Sequence, residues 1–333
     1  MRGRLTQTLV AALAAALCWS CAAAQTTPAP GTSRTPFAGV PDGQACPAPE
    51  RPAAMPAAAP GQPLRPPRAD PYEGKLKVLF IGDTLTGNQT AHEGVYRAMA
   101  SMYGAGAARN MAVFIRTDWG NVTTQEVFGA GDYARCGPRQ SRGRNLEFFD
   151  VVVFYINGDT RLSESQKTEL LDWIRAGHGF VGIHTATAAG YYWPEYGDMI
   201  GGYFDNHPWN VVDARVIVER PDFPGMQAFV DAPAVRDEFY QMTGMPYSRE
   251  DTDVLMRLDP ASVDMTNPNV HRTDADFPQA WIRQYGEGRV FYSALGHPEA
   301  AWEDPRVINM YLEAIRWAAG KTDYPVRPHP LPN

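Results

Sequence analysis

Four histidines occupy positions where a parallel sheet could bring them together. The apolar run in GFVGIHTATA predicts a buried strand that ends at His184, and GRVFYSALGH predicts another that ends at His297. His92 follows the first strand-like run of the chain, and His207 lies in the loop YFDNHPWN downstream of His184. Because ligands of open parallel sheets bind beyond the carboxyl ends of the strands, we expect the first three at one edge, with His207 folding over it.

These histidines predict acid–base catalysis or metal binding. Imidazole is a general base near neutral pH, and it is also a common ligand of Zn²⁺. His184 is the expected base or metal ligand. His207 and His297 would orient the substrate or complete a divalent-metal site, and His92 would bind substrate. A single histidine could instead be a polar core residue that completes hydrogen bonds, but several at strand ends favour a shared site. The residues leave the choice between acid–base and metal chemistry open.

Carboxylates accompany the histidines in the sequence. Glu238 and Glu195 are the expected catalytic proton donors. Asp205, in the same loop as His207, is expected to bind substrate. The alternative for these carboxylates is a solvated loop charge and, for Asp205, a turn residue that bonds its own backbone.

Aromatic residues flank the same segments. Tyr192, Trp193 and Tyr240 are expected to shape a substrate pocket for a sugar. Aromatic rings beside polar groups stack on sugars, but such rings also fill protein cores, and the sequence favours neither role over the other.

The residues argue against several other functions. The segment GIHTA places His184 where a nucleophile elbow has serine or cysteine, so serine-dependent acyl transfer and cysteine-dependent amidotransfer are not expected. Thr185 and Thr187 are the nearby hydroxyls, and neither has an evident activating partner beyond His184. No Gly-rich phosphate motif follows the first strand, so no nucleotide cofactor is expected. A formal charge of −7 without a basic run argues against nucleic acid as a partner.

Alternating strand-like and helix-like segments must position these residues. Continuous apolar runs predict buried strands in LKVLFIG, AVFIR, DVVVFYI and GFVGIH. Capping boxes at Thr90 and Ser163 predict helix starts, as does Asp304 followed by proline, while residues 118–145 are expected to form a long loop with a short helix. Less regular strands are expected in VDARVIVE, DEFYQM, DVLMRL and AWIRQY. We predict an α/β fold with a doubly wound, mostly parallel sheet flanked by helices and a late antiparallel extension.

The N-terminal region predicts export. Residues 1–24 combine early arginines, a short apolar run and a small-residue cleavage site, which is typical of a secretory signal peptide. The mature chain would then be periplasmic or extracellular, with no transmembrane segment. Lipid attachment at Cys21 is the less favoured alternative, because the preceding residues match a lipobox poorly. We expect a Pro/Ala-rich linker over residues 25–73, one domain over 74–322 and a tail over 323–333.

Two cysteines remain after signal cleavage. Cys46 and Cys136 would meet an oxidising compartment, so a disulfide between them is one outcome and two free thiols are the other. Spacing alone does not show that they meet, and the sequence also leaves the oligomeric state open.

Three segments together resemble a known family. The stretches GHGFVGIHTATAAGYYWPEYGDMIGGYFDNHP, DEFYQ and GRVFYSALGH are similar to the trehalose-utilisation (ThuA-like) family, and the resemblance spans roughly residues 76–320. It implies a flavodoxin-like fold related to class I glutamine amidotransferases, with His184 at the position of their catalytic cysteine. The match is weaker at His92, where the preceding loop is longer and Glu93 follows.

The resemblance also implies a role in carbohydrate catabolism, with a small-molecule carbohydrate as the binding partner. We expect an exported hydrolase or lyase that acts on a disaccharide, or on a glycoside oxidised to a ketone at one ring carbon. His184 would act as the base or as a metal ligand. A non-catalytic sugar-binding or scaffold protein that has kept the fold is the alternative.

Overall fold

The computed structural model describes residues 70–83, 94–134, 137–232 and 234–332. Several predictions therefore lie outside the described residues. They concern the signal peptide, all but the last residues of the linker, the capping box at Thr90, and the residues His92, Cys46 and Cys136. The helices of the described part are α1 (Gly94–Ala108), α2 (Glu164–Arg175), α3 (Pro194–Ile200) and α4 (Pro305–Ala318). The strands are β1 (Leu76–Gly82), β2 (Met111–Arg116), β3 (Phe128–Ala134), β4 (Gly137–Arg142), β5 (Val151–Tyr155), β6 (Gly179–Ile183), β7 (Phe204–Asn206), β8 (Val211–Ala214), β9 (Val216–Val218), β10 (Val235–Glu238), β11 (Gln241–Met242), β12 (Asp253–Leu258), β13 (Pro278–Tyr285) and β14 (Gly288–Ser293).

One mixed sheet organises the molecule. Its strand order is β2-β1-β5-β6-β14-β13-β12-β9. The first five strands in this order pair in parallel, and β13, β12 and β9 continue the sheet in antiparallel fashion. The predicted α/β fold, with a mostly parallel sheet and a late antiparallel extension, is confirmed.

The parallel strands are buried on both faces, which explains their continuous apolar runs. In β1, Val78 and Phe80 pack on the face covered by α1 and α4, whereas Leu79 and Ile81 pack on the face covered by α2 and α3. Successive side chains of a strand point to opposite faces, so an uninterrupted apolar run is needed to fill both layers. The two helical layers leave the ends of the strands as the accessible parts of this sheet.

Side-chain caps set the helix starts that the sequence predicts. Ser163 caps α2: its hydroxyl accepts from the backbone N–H of Gln166, whose side chain accepts from the N–H of Ser163. Asp304 caps α4 through the N–H of Arg306 at 2.8 Å, and Pro305 is the first helical residue. These caps satisfy N–H groups that have no partner within the helix. No helix in the described residues is both long and apolar enough to cross a lipid bilayer.

Several segments differ from the sequence expectation, among them VDARVIVE, which is divided between β8 and β9. Residues 128–142, expected within an irregular loop, contain the antiparallel hairpin β3–β4. The segment DEFYQM, expected as one strand, is divided between β10, which pairs with β8, and β11, which pairs with β7. The break falls at Tyr240, whose backbone N–H and carbonyl both bond the buried side chain of Gln279 at 3.2 and 2.7 Å. At Tyr240 the side-chain amide of Gln279 therefore supplies the hydrogen bonds that a neighbouring strand would otherwise make.

The last described residues lack helix and strand but pack against the sheet. Tyr324 is buried and accepts a hydrogen bond from Trp317 Nε1 at 2.8 Å through its carbonyl oxygen. The N–H of Arg327 donates to Asp253 Oδ2 at 2.7 Å. The expected tail is therefore held along β12.

Candidate functional site

The turn after β6 places His184 at the carboxyl edge of the parallel strands. His184 has a φ of 46°, in the left-handed region that residues with a Cβ seldom adopt. Tyr292, on the neighbouring β14, donates its hydroxyl hydrogen to the His184 carbonyl oxygen at 2.7 Å. Thr187 Oγ1 lies 2.8 Å from the same tyrosine hydroxyl. These buried contacts hold a strained turn in the position of a nucleophile elbow, with a histidine at its apex.

The imidazole of His184 is fully buried and its orientation is fixed. Nδ1 lies 2.6 Å from the carbonyl oxygen of Ala294, which can only accept, so Nδ1 carries the hydrogen and Nε2 carries the lone pair. Nε2 faces the Tyr240 hydroxyl at 2.8 Å and His297 Nδ1 at 3.1 Å. The reactive nitrogen therefore points at other polar groups.

The loop after β14 delivers His297 to the same edge. Gly296, just before it, has a φ of 126°, which favours glycine. Its carbonyl oxygen accepts from Tyr155 Oη and Trp302 Nε1, both at 2.9 Å. The first residue of α1 packs against this loop, because a Cβ on Gly94 would overlap the carbonyl oxygens of Gly296 and His297. The position of His297 is thus set by contacts from several elements.

Asp237, fully buried on β10, ties the histidine loop to the neighbouring glutamate. Its Oδ2 accepts from the N–H of Gly296 at 2.8 Å, and its Oδ1 accepts from the N–H groups of His297 at 3.0 Å and Glu238 at 2.8 Å. One carboxyl group therefore sets the backbone positions of two site residues.

Glu238 faces all three histidines that the structure describes at this edge. Its Oε2 lies 3.1 Å from His297 Nδ1 and 3.5 Å from His184 Nε2. Its Oε1 lies 3.5 Å from His207 Nδ1, a buried atom that makes no hydrogen bond within the described part of the chain. The His207 ring packs on Phe204 at 5.7 Å between centroids. The carboxylate is the centre of the cluster.

The residues of the cluster have pKa values that are shifted in different directions. Burial lowers the pKa of His184 to about 4, with a further lowering from the charge of His297. Burial disfavours the charged forms of His297 and Glu238 as well. Their mutual hydrogen bond and attraction outweigh it, so the pKa of His297 is raised and that of Glu238 lies well below its usual range. The two imidazoles thus differ in proton affinity: His184 loses its proton at lower pH than His297, and the carboxylate of Glu238 lies within 3.5 Å of both rings.

Two further groups have raised pKa values for the same reason. Burial raises the pKa of Asp237 to about 7, although three backbone N–H donors favour its charged form. Burial and the charge of Glu238 raise the pKa of Tyr240 well above its ordinary value, so its phenol keeps its hydrogen and donates it to His184 Nε2.

The same donor set has the composition of a divalent-metal site. Ligand atoms of His184, Glu238 and His297 all lie within 4.8 Å of one another. The sequence predicts His184, His207 and His297 as the metal ligands, whereas this set has Glu238 in place of His207. The His207 ring instead faces the other oxygen of Glu238. Two imidazoles and a carboxylate are a common ligand set for Zn²⁺. The bond from Nδ1 of His184 to a backbone carbonyl is the kind of contact that orients metal-binding histidines.

The structure does not gather every predicted site residue at the cluster. Glu195 is exposed in the first turn of α3, and Tyr192 is 89% exposed. Trp193 is buried, with its ring stacked on Tyr196 at 5.2 Å. Asp205 lies on β7, where Oδ2 is 2.7 Å from His271 Nδ1. Tyr240 joins the cluster directly.

Sequence reasoning did not single out Tyr155 and Gln279 for the site. Tyr155 ends β5, so the strand-end rule that selected the histidines also applies to it. Gln279 carries no comparable signal, because a glutamine inside a strand predicts neither its burial nor its bonds to Tyr240.

The fold and site define a class of protein. The sheet and helices form a flavodoxin-like fold of the glutamine amidotransferase type, in which the elbow carries a histidine. A model of the trehalose utilisation family (ThuA) matches residues 83–318. The chain belongs to this family, which gives it a carbohydrate-related role.

The chain is similar to solved structures of two ThuA-like proteins. A ThuA-like protein of Bacteroides uniformis has 21% sequence identity to the chain and a TM-score of 0.55, with coverage of 78% of this chain and 95% of that one. A ThuA-like protein of Parabacteroides merdae has 16% identity and a TM-score of 0.48, with coverage of 74% and 91%. No curated protein shows significant sequence similarity to the chain.

Proposed function

We propose that the protein is an enzyme of carbohydrate catabolism that cleaves a keto-glycoside, including an oxidised disaccharide, at the cluster of His184, Glu238 and His297. One observation carries this proposal: two imidazoles, one with a lowered and one with a raised pKa, lie 3.1 Å apart beside a shared carboxylate. Groups whose environments separate their pKa values in this way are typical of acid–base sites.

The proposed reaction is an elimination. A ring ketone acidifies the C–H bond on the carbon between it and the anomeric carbon. His184 Nε2 accepts this proton, the C–H electron pair forms a C=C bond to the anomeric carbon, and the glycosidic C–O bond breaks with its pair on the leaving oxygen. His297 donates a proton to that oxygen. The products are an unsaturated keto-sugar and a free alcohol, and the step needs no oxidant.

The cluster also offers a route to restore its protons. After the reaction His184 holds an extra proton and His297 lacks one. Glu238 Oε2 lies within 3.5 Å of both rings, so it can stabilise the new imidazolium and pass the proton back. In this proposal His297 is the acid, in place of the Glu238 and Glu195 expected from the sequence, because the lowered pKa of Glu238 keeps it ionised.

Substrate contacts belong to the same proposal. The Tyr240 hydroxyl and His207 lie beside the reacting groups and would contact the sugar, and the exposed ring of Tyr192 would contact it from the rim. His92 stays a predicted substrate-binding residue. Export, predicted from the N-terminal residues, would place this reaction outside the cytoplasm.

Metal-assisted elimination is a second candidate, favoured by the pKa of His184. A group with a pKa of about 4 is a weak base, but it stays unprotonated across the neutral range, as a metal ligand must. His184, Glu238 and His297 would hold the ion, and His207 would adjoin it through the other oxygen of Glu238. A divalent ion such as Zn²⁺ would polarise the ketone at this point.

The test is turnover of 3-keto and unmodified disaccharides, with and without added divalent metal. The variants His184→Asn, which tolerates the left-handed turn, and His297→Gln should each lower kcat/KM for the 3-keto substrate by about 10²–10⁴-fold. The control His178→Asn alters a histidine at the other end of β6 and should retain the parent rate. Thermal unfolding checks that each variant folds.

The outcomes separate the candidates. Parent-like turnover by a folded His184→Asn protein would overturn the proposal. Turnover that appears only with added metal favours the metal-assisted form. Binding of disaccharides by the parent without any turnover would establish the non-catalytic sugar-binding alternative instead.

A further inference from the structure

A cleft lies along the two-stranded ribbon formed by β7 and β11, near the cluster of His184, Glu238 and His297. It has a volume of about 510 Å³, and its lining includes Asp205, Thr243 and His271. Asp205 precedes His207 by two residues, which is about 7 Å of extended chain. The neighbouring Phe204 packs on Tyr240 with ring centroids 4.5 Å apart. The cleft and the cluster are therefore separated by a distance that two linked sugar rings can span.

A fully buried glutamine, Gln241, supports the loop that lines this cleft. Gln241 Oε1 accepts from the N–H of His271 at 3.0 Å, and its Nε2 donates to the carbonyl oxygen of Asn269 at 2.9 Å. These bonds fix the backbone of the loop that carries His271. The loop position is thus determined by the interior of the protein rather than by its own flexible surface.

The loop places His271 against Asp205 in a defined orientation. His271 Nδ1 lies 2.7 Å from Asp205 Oδ2, while the His271 side chain is 55% exposed and that of Asp205 is 28% exposed. A carboxylate accepts at this nitrogen, so Nδ1 carries the hydrogen and the opposite edge of the ring faces outward. The pair presents hydrogen-bonding atoms to the cleft.

An aromatic ring completes the arrangement. Tyr191 is 46% exposed and donates its hydroxyl hydrogen to the carbonyl oxygen of Phe204 at 2.9 Å. That bond holds the Tyr191 hydroxyl against the backbone of the residue that precedes Asp205. An aromatic face beside a carboxylate matches a sugar ring, which has an apolar face and a hydroxyl rim.

We infer that this cleft binds the outer, leaving ring of a disaccharide, with Asp205 accepting from its hydroxyl groups, His271 positioning Asp205 and Tyr191 packing on the ring. The inference rests on the proposed function and adds the place in the molecule where the leaving ring of a two-ring substrate binds. The ring that carries the ketone would occupy the cluster.

Steady-state kinetics with two substrates tests the inference. Asp205→Asn and His271→Gln should raise KM for a 3-keto disaccharide about tenfold or more, with kcat changed less than about twofold, because a charged hydrogen bond to the outer ring is lost. The same variants should leave KM for a one-ring methyl 3-keto-glycoside unchanged. Asp213→Asn, an exposed carboxylate on β8, is the control. Equal changes for both substrates, or none, would overturn the inference.

Calorimetry tests the cleft independently of turnover. An unmodified disaccharide should bind the His184→Asn protein more tightly than a monosaccharide, and adding Asp205→Asn should remove that difference. Loss of this preference while His184→Asn keeps parent-like turnover would contradict the proposed function and support the cleft. Equal binding of both sugars by the His184→Asn protein would contradict the cleft alone.

Discussion

Two buried clusters of charged residues lie in the molecule, and they differ in kind. In the first, Arg249 donates to Glu219 at 2.8 Å and to Asp276 at 2.7 Å, and Arg257 Nε lies 2.9 Å from Glu219. In the second, the histidines surround a single glutamate. Burial costs both clusters free energy, but the first is held together by guanidinium groups, whereas imidazoles surround the carboxylate of the second.

The difference shows how to separate structural charge from candidate chemistry. Burial lowers the pKa of Arg249, but its bonds to Asp276 and Glu219 raise it above its ordinary value, so the guanidinium of Arg249 stays charged at every physiological pH. In the histidine cluster the pKa values of His184 and His297 move in opposite directions. Buried charge alone therefore does not mark a site, whereas opposed shifts within one cluster do.

The largest expected effect is a loss of stability when the arginine cluster is disrupted. Arg249→Met leaves Glu219 and Asp276 buried without their main partner, so the free energy of unfolding should fall by about 3–5 kcal/mol. The folded variant should keep the parent kcat/KM, because this cluster takes no part in the proposed reaction. Urea unfolding and turnover below the unfolding transition measure the two effects. A loss of activity without a loss of stability would contradict this division of roles.

The pH dependence of kcat/KM sharpens the comparison. Turnover requires neutral His184, whose pKa is about 4, so the rate should fall as pH drops through that value. It also requires protonated His297, whose pKa is raised, so the rate should fall as pH rises through a value above 6.5. Beyond each limit the loss should be about tenfold per pH unit.

Glu238→Gln is the matched variant for this profile. It removes the charge that raises the pKa of His297, so the alkaline limit should move to lower pH. Arg249→Met should leave both limits in place. An alkaline limit that does not move in Glu238→Gln would assign that limit to another group.

The smallest expected effect concerns the support of the elbow. Tyr292→Phe removes the hydroxyl that donates to the His184 carbonyl oxygen and leaves this buried oxygen less satisfied. The free energy of unfolding should fall by about 1–3 kcal/mol, with a decrease in kcat. Tyr285→Phe, which alters a tyrosine on the neighbouring β13, is the control. An unchanged kcat in Tyr292→Phe would show that the strained turn does not need this bond.

Local patterns account for the parts of the molecule that sequence reasoning predicts well. A strand buried on both faces must be apolar throughout, so the sequences of β1, β5, β6 and β14 are continuous apolar runs. The residues that follow β6 and β14 include His184 and His297, which the strand ends therefore indicate. Capping at Ser163 is equally local. The element order follows from these signals alone.

Long-range contacts account for what the sequence does not reveal. Glu238 reaches the histidines through β10, which pairs with β8 outside the main sheet, and no periodicity encodes that placement. Asp205 and His271 meet across 66 positions of chain. The burial of Trp193 is likewise decided by the helix beside it, so its aromatic character predicts a sugar site and a core equally well.

The absence of a side chain at Gly94 has a consequence for the dimensions of the site. At Gly94 the helix approaches the loop of His297 so closely that a Cβ would overlap the carbonyl oxygens of Gly296 and His297. An alanine at this position would move the helix or the loop outward and open the gap between His297 and its partners. The distance between His297 and its partners therefore depends on a residue outside the cluster, because only a glycine at position 94 leaves room for the loop.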